Sequence, residues 1–334
     1  MAYTVLVTGG AGYVGSHAVV ELLDRGREVV VFDNLIQGHP EAVPPGATLV
    51  IGDLADRGAI AEVFGRHHID AIMHFAAYSL VGESMQKPFR YLRDNVVNAL
   101  NLIETAVEYN VDRLVLSSTC ALFGHPDRTP IDEDVRIDPG SPYGESKFLI
   151  ERILHWADRV HGLRSACLRY FNAAGAHPVV PIGEDHAPET HLIPIALDVA
   201  LGRRSHIDIY GDDYPTPDGT CIRDYVHVCD LADAHVRVLD ALDRGSCRYN
   251  IGIGHGYSVR EVVASVRRVT GTPVPERIAP RRPGDPPILI AASERIKREL
   301  GWQPRFTGID EIVASAWAWR CHHPDGYASR AAAG

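Results

Sequence analysis

Short runs of aliphatic and β-branched residues punctuate the first half of the chain. They lie at residues 4–8, 28–33, 48–53, 71–75, 113–118 and 165–170. Most are apolar on both sides of the pleat, the signature of parallel strands covered by helices on two faces. Between the first two runs, Val14, Ala18, Val19, Leu22 and Leu23 recur at helical spacing, and Gly26 supplies a stop. Residues 87–109 and 146–160 repeat the helical pattern. Strand, helix and strand in succession predict an α/β fold: a doubly wound parallel sheet with right-handed crossovers.

Beyond residue 172 the texture changes. The stretch 173–190 is rich in proline, glycine and histidine, and 211–220 carries Pro215, Pro217 and two glycines. Both read as ordered loops around a ligand. Helical signals return at 259–269, opened by Ser258 as N-cap, and at 293–300 and 310–319.

Hydrophobic residues make up 46% and charged residues 23% of the 334. These globular proportions exclude a disordered tail, a collagen or a coiled coil. The formal net charge of −10 argues against nucleic acid or an anionic membrane as partner. A phosphate ligand therefore has to be held by a local device. Six scattered cysteines without a CxxC pair suit reduced thiols in a cytoplasm. The start, Met1-Ala2-Tyr3-Thr4-Val5-Leu6-Val7-Thr8, has no basic region, so no signal peptide is expected, and no apolar stretch is long enough to span a bilayer.

That local device follows the first strand. Gly9-Gly10-Ala11-Gly12-Tyr13-Val14-Gly15 has the spacing G-x-x-G-x-x-G and opens the first helix. Glycine there permits unusual backbone angles and close approach to a pyrophosphate, and the helix N-terminus offers free N–H groups. A bare structural turn is the competing reading. Asp33, closing the second strand about 20 residues on, favours a dinucleotide whose ribose hydroxyls a carboxylate can hold. A carboxylate repels a 2′-phosphate, so NAD is expected rather than NADP. Asp53 suits a contact to adenine, or a solvated strand end.

Candidate chemistry lies in Tyr143-Gly144-Glu145-Ser146-Lys147. A phenol and an ammonium four residues apart share one helical face, and the cation lowers the phenol pKa towards working pH. Tyr143 thereby becomes a general base for a hydroxyl group. Thr119, just past a strand end, can offer its hydroxyl to the same substrate oxygen.

With these residues in place the chain resembles the extended short-chain dehydrogenase/reductases, and within them the UDP-glucose 4-epimerase family. The likeness runs from Val5 to about Tyr327. It includes Phe32-Asp33-Asn34, His74-Phe75-Ala76-Ala77, Val81-Gly82-Glu83-Ser84, Leu168-Arg169-Tyr170-Phe171-Asn172, Gly211-Asp212-Asp213-Tyr214-Pro215-Thr216, Arg223-Asp224-Tyr225-Val226-His227 and Arg281-Arg282-Pro283-Gly284-Asp285. Trp317-Ala318-Trp319-Arg320 and His323-Pro324-Asp325-Gly326-Tyr327 extend it.

The resemblance implies a Rossmann-type NAD domain over 1–172 and a smaller C-terminal α/β UDP-sugar domain over 173–334, with some segments returning to the first sheet. It implies interconversion of UDP-galactose and UDP-glucose, in galactose metabolism. Oxidation at C4, rotation of a 4-keto sugar and hydride return make up the cycle. Tyr143, Lys147 and Thr119 would be catalytic. Gly9, Gly12, Tyr13, Val14, Gly15, Asp33, Asn34, Asp53, Leu54, Phe75, Ala76, Ala77, Asn95, Ser117, Tyr143, Lys147 and Tyr170 would hold NAD. Substrate would meet Thr119, Tyr143, Asn172, His191, Leu192, Tyr210, Arg223, Arg282, Asp285 and Leu289. Arg223 and Arg282 would neutralise the pyrophosphate, Asp285 take a ribose hydroxyl and Tyr210 lie beside uracil. A homodimer through helices 87–109 and 146–160 is also implied, with Phe148, Leu149 and Trp156 beyond the core stripe.

Three positions depart from the family pattern. Ser79 replaces a lysine near the cofactor, His191 an asparagine near the substrate, and Leu289 falls at the position that gates a 2-acetamido group. UDP-N-acetylhexosamines, UDP-pentoses and UDP-uronates remain as alternative substrates, and a non-catalytic NAD-bound scaffold as an alternative role. A 4,6-dehydratase is discounted because Cys120 and Ala121 follow Thr119, where it needs carboxylates. No metal is expected, since the doublets His67-His68 and His322-His323 lack paired ligands. Cys120 is expected to be a small buried thiol.

Overall fold

The computed structural model describes residues 3–282 and 284–327. Met1 and Ala2 of the leader reading, Pro283 of the 281–285 motif and the end of the second domain, 328–334, lie outside the described residues.

In chain order the first half runs β1 (Thr4–Thr8), α1 (Tyr13–Asp24), β2 (Glu28–Asp33), β3 (Ala47–Ile51), α2 (Arg57–Arg66) and β4 (Ala71–His74). Next come α3 (Val81–Gln86), α4 (Pro88–Arg90), α5 (Val96–Glu108), β5 (Arg113–Ser117), α6 (Pro142–His161) and β6 (Arg164–Tyr170). The second half contributes β7 (Asn172–Ala174), α7 (Leu192–Ala200), β8 (Ile207–Tyr210), β9 (Ile222–His227), α8 (Val228–Ala241) and β10 (Cys247–Ile251). It closes with β11 (Gly256–Ser258), α9 (Val259–Thr270), β12 (Glu276–Ala279), β13 (Ile288–Leu289), α10 (Glu294–Leu300) and α11 (Ile309–His322).

Seven strands form one parallel sheet in the order β10-β6-β5-β4-β1-β2-β3. Alternation along β1 explains its two covered faces. Val5 and Val7 enter one apolar cluster with α1 and α8, and Leu6 enters the other with α2, α5 and α6. The strand order reverses beside β1, where β2 and β4 flank it. Crevices at such a reversal, beyond the strands' carboxyl ends, are where these sheets bind ligands.

Helix ends follow their local chemistry. The Ser141 hydroxyl accepts from Gly144 N at 3.2 Å to open α6, Pro142 occupies its first turn, and Gly162 closes it in the left-handed region. Ser258 forms a capping box with Glu261 at α9. The expected helix 87–109 is broken: Tyr91–Asn95 forms a π turn between α4 and α5. Such insertions concentrate at functional sites.

In the second half, β7, β9, β11 and β13 form a small sheet, and β8 pairs with β12. Two segments cross back: α8 packs on α1, and β10 extends the main sheet beside β6. Among the described residues no helix is long and apolar enough to cross a membrane.

Candidate active site

The β1–α1 turn is built from backbone at close quarters. A Cβ on Gly9, whose φ is +75°, would lie 2.4 Å from Ala76 N, and one on Gly15 would lie 2.1 Å from Gly9 O. Gly12 is the helix N-cap and supplies no side chain to the first-turn amides. A glycine-walled cradle with uncapped N–H groups fits a dinucleotide pyrophosphate. Tyr13 opens the helix with its hydroxyl donating to Gly175 O at 2.6 Å and its ring buried, which leaves its backbone to face the cradle. Val14 packs half-buried against the core.

At the end of β2, the buried Asp33 carboxylate accepts from Ala11 N at 3.0 Å and Leu35 N at 2.9 Å. Burial raises its pKa, while these amides oppose the rise. It braces the cradle from the side where an adenosine ribose would lie. Asn34 Nδ2 donates to Asp53 Oδ2 at 2.9 Å, joining two adjacent strand ends, and Leu54 is buried with its carbonyl taking Asn101 Nδ2 at 2.9 Å.

Across the sheet reversal, Phe75 N and Ala76 N both donate to Thr8 O, and the Phe75 ring lies 4.8 Å from His235. Ala77 follows in the same loop, half-buried. Asn95, at the end of the π turn, grips Tyr78 twice: Oδ1 accepts from Tyr78 N at 2.8 Å and Nδ2 donates to Tyr78 O at 2.9 Å. It holds the segment 76–80 in place.

Tyr143 and Lys147 occupy the first turns of α6, exposed by only 7% and 2%. The Thr119 hydroxyl hydrogen-bonds the Tyr143 side chain, which favours the phenolate. The expected lowering of the phenol by Lys147 needs correction. Burial dominates and pushes Tyr143 above its ordinary value, with Tyr170 adding to the rise. Lys147 Nζ instead donates to Ser117 O at 2.8 Å, and burial pulls its own pKa down to about 8. Ser117 Oγ reaches the Tyr170 hydroxyl at 3.1 Å. Cys120, beside the site, is pushed up to about 12 by burial, which leaves it a poor nucleophile.

The second half carries the remaining candidates, of which Arg223 lies close enough to act electrostatically on Cys120. Arg223 forms a close ion pair with Asp285, so both are engaged with each other. Arg282 lies over the Tyr210 ring, 4.1 Å from its centroid. Asn172 Nδ2 donates to Asp224 O at 3.1 Å. Leu289 pairs with Arg223 in the small sheet and packs, half-buried, on the cluster of Leu122, Phe123 and Phe171. Phe148 joins that same cluster, so it serves the chain's own core rather than an outer face.

His191 and Leu192 start α7. His191 Nδ1 stands 2.7 Å from Glu184 Oε1 and 3.3 Å from Glu189 Oε1. Burial opposes protonation, yet the two carboxylates hold His191 up at about 10. Sequence spacing, judged on histidine doublets, gave no ligand group. The structure brings Glu184, His186, Glu189 and His191 together instead.

Two supports escaped the sequence reading. The buried Asp224 carboxylate accepts from Ile253 N, Gly254 N and Ala291 N, which anchors the strand carrying Arg223; burial raises it to about 6. Beneath the catalytic turns, Arg169 and Glu151 pair bidentately at 3.0 and 2.6 Å, and Ser118 donates to Glu151 at 2.7 Å. For Asp224 and Arg169 the sequence signal was charge inside otherwise apolar strands, whereas Glu151 sits within helix α6 and carries no such signal.

A family model described as "NAD dependent epimerase/dehydratase family" matches residues 5–252. The chain is 50% identical over 329 residues to a UDP-glucose 4-epimerase of Lacticaseibacillus casei, covering 98% of this chain and 99% of that relative. A crystal structure of a UDP-glucose 4-epimerase superposes with a TM-score of 0.95 at 50% identity, over 97% of this chain and 99% of the other. A UDP-glucose 4-epimerase from Bifidobacterium longum in complex with NAD+ and UDP superposes with a TM-score of 0.93 at 38% identity, over 97% of this chain and all of the other.

Proposed function

The chain belongs to the NAD dependent epimerase/dehydratase family, and on that premise we propose how its own residues perform the chemistry. The protein is an isomerase that interconverts UDP-galactose and UDP-glucose with NAD. NAD, when bound, accepts hydride from the sugar C4 and returns it.

Tyr143 takes the proton of the sugar 4-hydroxyl and gives it back at the end of the cycle. Thr119 steadies the same oxygen through its hydroxyl, and the Lys147 ammonium, held by Ser117 O, would bind the nicotinamide ribose. Gly9, Gly12 and Gly15 admit the cofactor pyrophosphate, and Asp33 takes its adenosine ribose. Phe75, Ala76, Ala77, Ser117 and Tyr170 line the nicotinamide side, with Asn95 fixing the loop.

On the substrate side, Arg223 and Arg282 neutralise the UDP diphosphate, and Asn172 and Leu192 border it. Arg suits this task through bidentate contacts. Leu289 sets the room at the sugar C2 position. The carrying observation is the convergence of Tyr143, Thr119 and a buried Lys147 beyond the carboxyl ends of the sheet, next to the glycine cradle.

Anomeric-proton NMR on UDP-galactose, with UDP-GlcNAc, UDP-GlcA and UDP-Xyl in parallel, tests the reading. Conversion to UDP-glucose supports it, and its absence sinks it. The parallel arms fix how far Leu289 widens the substrate range.

A second copy of the chain covers the outer face of α3 to α6. Val81, Met85, Phe89, Val97, Leu149, Trp156 and Val160 are exposed there, Phe89 by 82%. That apolar face needs a partner of like kind. Trp156→Glu should yield a monomer by light scattering, and an unchanged mass would overturn the dimer. Six unbridged cysteines suit a reducing cytoplasm.

A further inference from the structure

We infer that Glu184, His186, Glu189 and His191 form a four-ligand site for a divalent cation of the zinc class, on the loop that leads into α7 beside the proposed substrate contact Leu192. One ligand atom from each side chain lies within 4.8 Å of all the others. No ion is needed to draw them together in sequence: the spacing Glu-x-His-x-x-Glu-x-His places four donors on one eight-residue loop.

The distances favour a metal over a simple charge cluster. Zinc bound by imidazole nitrogen and carboxylate oxygen at about 2.0–2.2 Å puts neighbouring ligands about 3.4 Å apart in a tetrahedron. Here His186 Nδ1 is 3.3 Å from Glu184 Oε1 and 3.7 Å from Glu189 Oε2. His191 Nδ1 is 3.3 Å from Glu189 Oε1. The 2.7 Å contact between His191 and Glu184 has to open on binding.

Burial adds to the geometry. Glu184 is 8% exposed, and its Oε1, sealed from solvent, faces His186 Nδ1 at 3.3 Å and His191 Nδ1 at 2.7 Å. A buried carboxylate shared between two ring nitrogens is a donor set that a cation can take over. Glu189 is already oriented, because its Oε1 accepts from Thr190 N and His191 N at 2.8 Å each. The half-exposed His191 side chain gives the ion a route in.

Occupancy would fasten this loop where it meets the cofactor cradle, since the His186 ring stands edge-on to Tyr13 at 6.2 Å. With Nδ1 on the metal, the His191 ring keeps its proton on Nε2 and presents it as a donor.

Chelator-treated protein titrated with Zn2+ against a chromophoric competitor tests the site. One ion per chain with submicromolar affinity is expected, and Co2+ in its place should give the intense visible bands of a tetrahedral ion. His186→Ala and the near-isosteric Glu189→Gln should each weaken zinc at least about 100-fold, beyond what loss of an outer-shell partner does. His177→Ala, a nearby histidine outside the group, should leave affinity unchanged. Micromolar or weaker zinc binding to the parent protein, or equal affinity in parent and Glu189→Gln, would overturn the site and leave an ion-pair cluster only. Epimerase activity on UDP-galactose is measured separately, so failure of the metal site leaves the reaction reading intact.

Discussion

The two sides of the cleft hold their polar groups differently. On the cofactor side most of these side chains are fixed to backbone, Asp33 to Ala11 and Leu35, Asn95 to Tyr78 and Lys147 to Ser117, with Asn34 and Asp53 paired to each other. On the substrate side the arginines are fixed to side chains, Arg223 to Asp285 and Arg282 to the Tyr210 ring, while Asn172 holds backbone. Backbone anchors persist whatever binds, whereas partner swaps let a diphosphate exchange in and out. A permanent tenant and a visiting one thus call for different architecture. Preorganised dipoles serve the first, and exchangeable charge serves the second.

Four experiments press on this contrast. Tyr143→Phe removes the shared proton carrier and should lower kcat by about 10^2–10^4 while NAD content stays at one per chain. Loss of cofactor together with rate would blur the two sides. Gly15→Ala forces a Cβ against Gly9 O, an overpacking clash costing roughly 3 kcal/mol. Purified variant should lack NAD by absorbance, yet bind UDP by calorimetry within a few-fold of parent. Retained NAD would show that the cradle yields.

Arg223→Ala acts on the other side only. It leaves Asp285 unpaired and should raise KM about 30-fold, some 2 kcal/mol, with NAD content untouched. A drop in kcat alone would move Arg223 from binding to catalysis. The smallest effect, counted per residue, concerns acid. Burial lowers His17 and His74 to about 3 and His235 to about 4, all packed on the cofactor side. These rings stay neutral when folded but protonate when unfolded below about 6.5, so stability is full above that value and falls as pH drops. Between pH 7.5 and 5.5 each should cost about 1.4 kcal/mol in urea unfolding. The raised His186 and His191 work the other way: their stabilisation is full below about 6.5 and fades as pH climbs towards about 9 and 10, so they offset part of the fall. A His235→Gln variant whose stability falls as steeply with acid as the parent's would contradict the buried neutral ring.

Much of the cofactor side was legible because it is local. A glycine turn, its strand and its helix are contiguous, so β1, α1 and β2 match the hydrophobic pattern, and Ser258 caps α9 where its side-chain chemistry says it should. The substrate side comes together from β7, β9, β13 and the loops between them, and pattern cannot say that Arg223 will meet Asp285 sixty-two residues away. Helix α8 has no counterpart among the expected elements, although Asp233, Arg237 and Asp240 mark its outer face at helical spacing. Phe148 looked like an outer apolar residue for the same lack of context. The Glu184 loop went unread because its donors are split between residue types that ordinarily sit in solvent.

Strand β10 carries one more consequence. Val226, Leu231, Val236, Tyr249 and Ile251 fill the same apolar cluster as Val5 and Val19. A fragment ending near residue 172 would therefore leave β6 as a bare sheet edge above an unfilled core, a template for aggregation. During synthesis, the amino-terminal half must wait on the ribosome until residue 251 has emerged before it can close.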